Sequence, residues 1–166
     1  MANKTNFTPE EWKTLLEGAM MSGFAVTAAE PSDLSGILGV LKESFAASRA
    51  LLEGRGASDE LVKAIEAEFE TSEGRTFAKE GFREKLAGAK AADLKAKCMD
   101  TLKQVAAILE AKAPADAEAV KKWFYHISEK VAEAEAEGGF LGFGGTQVTD
   151  AEKAALSEIS SALKLS

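Results

Sequence analysis

Most catalytic chemistry needs residues that this sequence has in short supply. There is one cysteine, Cys98, and one histidine, His126, in 166 residues. A lone cysteine closes no disulfide within the chain, so nothing calls for an oxidising compartment. A Cys–His pair would have to join Cys98 to His126, and nothing in the sequence brings them together. Cys98 falls on the inward stripe of a predicted helix and reads as a small buried hydrophobe. His126 lies at the edge of an apolar stripe and reads as a partly exposed residue bordering the core. Clustered basic residues are also missing: Lys121-Lys122 is the only basic doublet, and the formal net charge is −7. That balance excludes the usual counterion-releasing nucleic-acid binder and disfavours an anionic membrane surface. No apolar run approaches the roughly 18 residues that span a bilayer. The opening "MANKTNFTPEEW" lacks the basic region and apolar core of a secretory signal. The expectation is a cytoplasmic protein with no nucleic-acid partner and no membrane insertion.

Alanine, leucine, glutamate and lysine dominate the chain, residues that lose little on entering a helix. No stretch alternates apolar and polar with β-branched residues, so no sheet is expected. The reading is all-α: a single helical domain over 1–166, a bundle of six or seven mostly antiparallel helices.

Punctuation places the helices. In "FTPEEW", Thr8 is an N-cap, Pro9 takes the first helical position and Glu11 completes a capping box, with Phe7 and Trp12 placed as a hydrophobic staple. The helix fades near Ala28, ahead of Glu30-Pro31. A second helix opens at Ser32 or Asp33 and breaks at Gly54 and Gly56. Ser58 caps a third, with Leu61, Ile65 and Phe69 on its face. Phe77, Phe82 and Leu86 mark a short fourth helix or a continuation of the third, weakened by Gly81. The fifth spans about 91–111 and ends at Pro114. The sixth carries Val120, Trp123, Phe124, Ile127 and Val131. Thr149 and Glu152 box the start of the seventh.

Between the last two helices lies "GGFLGFGG", 138–145, in which five of eight residues are glycine and the others are Phe140, Leu141 and Phe143. A phosphate cradle would need a Gly-Lys-[Ser/Thr] run or a preceding strand, and neither is there. Membrane fingers carry flanking Lys/Arg that this loop lacks. Two readings stay open. The plainer one folds the three large side chains back as a plug on the bundle, with glycines permitting close approach. The other leaves them outward as a contact for a protein partner, a second copy or an apolar ligand.

The stretch "KVAEAEAEGGFLGFGGTQVTDAEKAALSEISSALKLS" resembles the last helix–loop–helix of tellurite-resistance TerB-like domains. The family pattern is a helix ending in Ala-x-Ala-Asp-Gly, a hydrophobic position, then a capped helix with an early glutamate. Glu137-Gly138 stands at its Asp-Gly, Val148 at its hydrophobic position and Glu152 at its glutamate. Glu30-Pro31 is the counterpart in an earlier unit, which would make the bundle pseudo-twofold. The resemblance implies an all-helical fold, a link to stress response and a divalent metal held by acids, here Glu30, Glu137 and Glu152. From the residues alone Glu152 is a helix-start acid that favours the dipole, and the EF-hand spacing is absent. The expectation is therefore a non-enzymatic binding or adaptor protein without a cofactor, with divalent-metal binding as the alternative and an enzyme built from scattered carboxylates as the more remote one.

Overall fold

The computed structural model describes residues 1–29, 59–137 and 148–165. Among these the chain is an all-α bundle with no strand. After a single 3-10 turn at Lys4–Asn6 come α1 (Pro9–Thr27), α2 (Glu60–Glu70), α3 (Ser72–Leu86), α4 (Ala91–Lys112), α5 (Ala117–Glu137) and α6 (Asp150–Ala162). The second helix expected from the sequence, Glu30 and the whole 138–145 loop lie outside the described residues.

Local signals set several boundaries. Thr8 Oγ1 accepts from Glu11 N at 3.2 Å, and Glu11 Oε2 accepts from Thr8 N at 2.8 Å. The Phe7 and Trp12 rings close the staple with centroids 5.7 Å apart. The same reciprocal box starts α6, with Glu152 Oε2 accepting from Thr149 N at 2.8 Å. At the head of α2 the cap falls one residue later than Ser58. Asp59 Oδ1 accepts from both Leu61 N and Val62 N, at 3.0 and 3.1 Å. A carboxylate reaching two of the free amides of the first turn satisfies what a serine hydroxyl would satisfy singly.

Helix α1 is the centre of the bundle. Twelve of its residues are buried, and it packs against α3, α4, α5 and α6. A helix surrounded in this way must be apolar or small on nearly every side. Leu15, Leu16, Met21 and Val26 are fully enclosed, and each such side chain contributes about 1.5–3 kcal/mol of transfer free energy. The surrounding helices supply Leu61, Ile65, Leu102, Leu109, Phe124 and Ile159 to the same core.

Helices α2 and α3 are distinct. Thr71 sits between them with extended backbone (φ −87°, ψ 149°), ending one helix and capping the next. Gly81 does not break α3, which runs through it. Gly74, Ala78, Gly81 and Phe82 form the buried ridge of that helix. Phe77 lies one step off the ridge and is 36% exposed.

Candidate functional site

Among the sequence-predicted site residues, Phe140, Leu141, Phe143 and Glu30 lie outside the described residues. Glu137 ends α5, and its side chain is likewise not described. Glu152 is buried, and its carboxylate is occupied by the capping box at the head of α6. No group of three or more His, Cys, Asp or Glu side chains converges as a metal-holding set among the described residues.

The scarce reactive residues have different partners. Cys98 is buried in the core with its Sγ 3.4 Å from Met21 Sδ. Burial pushes its thiol up to about 12, so the thiolate needed for nucleophilic attack is not formed at neutral pH. His126 is partly exposed on α5, with Nδ1 3.1 Å from Glu129 Oε2 one turn away. No helix among the described residues is long and apolar enough to cross a membrane.

An open cleft of about 800 Å³ lies where the start of α1 meets the α2–α3 junction. One wall is the N-terminal strap and the first turn of α1. Its shape follows from the staple and box at Phe7–Trp12, which fix the angle at which the strap enters the helix. The other wall is the junction itself. Thr71 Oγ1 donates to Glu68 O and accepts from Gly74 N, both at 2.9 Å. Arg75 Nη1 donates to the carbonyls of Phe69 and Glu70, at 2.9 and 2.8 Å. These bonds satisfy carbonyls that the end of α2 would otherwise leave open. A Cβ at Gly74 would stand 2.1 Å from Glu68 O, so the tight junction requires glycine there.

Glu68 joins the two walls. Its Oε1 accepts from Lys4 Nζ at 2.5 Å and from Trp12 Nε1 at 3.3 Å. Lys4 Nζ also stands 5.9 Å from the centroid of the Trp12 ring, within range of a cation–π contact. Across the cleft, Phe77 is exposed, with Lys13 Nζ 5.6 Å from its ring centroid. Glu73 and Glu80 line the same wall and are exposed. Neither has an ion-pair partner among the described residues. The lining thus combines aromatic surface with three carboxylates against the single ammonium of Lys4.

Sequence reasoning did not find this cleft. Lys4 and Glu68 are 64 positions apart, and no local pattern announces their pairing. Phe77 carried the one available signal, an aromatic residue beside, rather than on, the small-residue ridge of α3.

Comparison with family models, with curated proteins and with solved structures finds no match.

Proposed function

We propose that this protein is a non-enzymatic cytoplasmic binding or adaptor module, whose helical scaffold presents the cleft between the α1 start and the α2–α3 junction to a segment of a partner protein. The observation that carries this reading is the cleft itself. It is open, its walls are fixed by helix caps, and its lining includes the exposed ring of Phe77. Exposed aromatic surface on a rigid concave frame is what peptide-binding grooves use. The TerB-like resemblance of the C-terminal stretch supports the same class and adds the tie to stress response.

The test is a peptide-display selection on the wild-type protein, counter-screened on Phe77→Ser. Phe77 is exposed, so the variant leaves the core intact. The reading expects selected peptides to bind the wild type, to shift the Trp12 indole N–H resonance and to lose most of their affinity for the variant. It is overturned if no peptide is selected, or if the selected peptides bind Phe77→Ser equally well.

A further inference from the structure

We infer that the cleft selects a lysine- or arginine-bearing segment of its partner and that Lys4 is an intramolecular stand-in for that cation, an inference that rests on the cleft being the docking site. Lys4 already displays the recognition. Its ammonium is held by Glu68 at 2.5 Å and faces the Trp12 ring at 5.9 Å. A carboxylate behind an aromatic face is a cation site by both charge and quadrupole.

The occupant is weakly held. The Lys4 side chain is 60% exposed, and a single ion pair and the ring hold it. The strap itself is anchored elsewhere. Ala2 N donates to buried Asp116 Oδ2 at 2.8 Å, and Asn3 and Asn6 cap the 3-10 turn reciprocally. The Lys4 side chain can therefore leave Glu68 without releasing the strap.

The opposite wall carries more acid than free base, since the Lys13 ammonium near the Phe77 ring is already paired with Glu84 at 2.7 Å. Glu73 and Glu80 are exposed and unpaired among the described residues. The start of α3 could otherwise attract an anion, but Thr71 already caps it and Glu73 occupies its first turn. Pro9 and Phe77 supply exposed apolar surface along which a lysine or arginine stem can lie.

The experiment titrates three capped peptides into the full chain: one of alternating leucine and lysine, one with glutamine at each lysine, and one with glutamate there. Binding is read from the Trp12 indole N–H resonance. The lysine peptide is expected to bind roughly tenfold more tightly than the glutamine peptide, and the glutamate peptide more weakly still. Lys4→Met removes the internal competitor and should tighten the lysine peptide severalfold. Glu80→Gln, at an exposed position, should weaken it and reduce its salt dependence. If lysine and glutamine peptides shift Trp12 with equal affinity and Lys4→Met changes nothing, the cation inference falls while the docking cleft stands. If none of the peptides moves the Trp12 signal, both fall.

Discussion

Toward α4 and α5, helix α1 presents Gly18, Ser22 and Gly23; toward α3 it presents Lys13 and Glu17. Both seams bring backbones close, and both depend on a glycine, but the space is filled differently. At Gly18 a Cβ would stand 2.6 Å from Val105 Cγ2 and 2.8 Å from Phe124 Cε2. Hydrocarbon occupies that volume. Ser22 adds no unsatisfied polarity, since its Oγ donates to Gly18 O at 2.8 Å. Its carbonyl accepts from Ser128 Oγ, also at 2.8 Å, which ties α1 to α5. On the other side the glycine belongs to α3. A Cβ at Gly81 would stand 2.1 Å from Glu17 Oε1 and 2.7 Å from Lys13 Cε. Here a carboxylate fills the gap. Glu17 is only 2% exposed. Lys85 Nζ lies 2.9 Å from its Oε2, close enough for an ion pair though not aligned as a hydrogen bond. The lesson is that close helix approach does not fix what a mutation will do; the atoms filling the gap decide it.

The largest effect is expected where those atoms cannot move. Gly18→Val would drive two methyl groups into Val105 and Phe124, both fully buried. Overpacking of a dense interior costs about 1–3 kcal/mol and sometimes more, and valine recovers only part of the helix propensity that glycine lacks. A loss of about 3 kcal/mol should appear as a lower urea midpoint at unchanged slope. A loss below about 0.5 kcal/mol would mean that the seam is loose and the contrast between the two seams is void.

The charged seam should fail by a different route. Lys85→Met removes the cation facing Glu17 and leaves a carboxylate buried. Stranding one member of a buried pair costs several kcal/mol in the dry limit. Lys85 is 28% exposed, and Lys13, which pairs with Glu84 at 2.7 Å, lies against the same glycine. A loss of about 2 kcal/mol is the expectation. Adding Glu17→Gln in that background should restore much of it, because a neutral amide is cheaper to bury than an unpaired carboxylate. If the double variant is less stable than Lys85→Met alone, the penalty is not the stranded charge and the seam is not electrostatic.

The two seams also differ in how far the sequence revealed them. Thr8, Pro9, Glu11 and the Phe7–Trp12 staple were legible because their partners lie within five residues. So were the Thr149–Glu152 box, the burial of Cys98 and the position of His126 at the edge of the core. The apolar stripe of α1 was legible as a period, and the structure places it at the centre of the bundle. Glu17 was not legible. Nothing near it in sequence says that it is buried, because Gly81 and Lys85 come from another helix. Gly81 looked like a weakness in a helix, whereas its missing side chain is the space that Glu17 fills. Asp59 took the cap expected of Ser58, a shift of one residue that local propensity does not resolve. The cleft depends on Lys4, Trp12, Glu68 and Phe77 meeting across four elements, and no short-range spacing encodes that.

The smallest effect concerns a charged contact whose carboxylate is exposed although one of its lysines, Lys121, is buried, and it calibrates the contact in which the carboxylate is buried. Glu110 on α4 accepts from Lys121 Nζ and Lys164 Nζ, each at 2.7 Å. Lys164 follows α6 in the left-handed conformation, φ 54°, a position where glycine is usual. Hydrogen bonds from Lys121 and then Lys164 hold the Glu110 carboxyl down at about 2, from an ordinary value of 4.5. A folded-state value below the unfolded one means that the carboxylate stabilises the fold fully above pH 4.5, and that this contribution fades as pH falls through 2. Glu110→Gln imitates the protonated acid. The wild type should therefore melt higher than the variant at neutral pH, and the two melting curves should converge between pH 4.5 and 2. Lys121 is 8% exposed but can still donate to the amide oxygen of the variant, and Glu110 is 41% exposed, so solvent screens the carboxylate and Lys164. The offset at neutral pH should thus be smaller than that produced by Lys85→Met. An offset as large, or one that persists unchanged to pH 2, would show that burial is not what separates the Glu17 seam from the surface of the bundle.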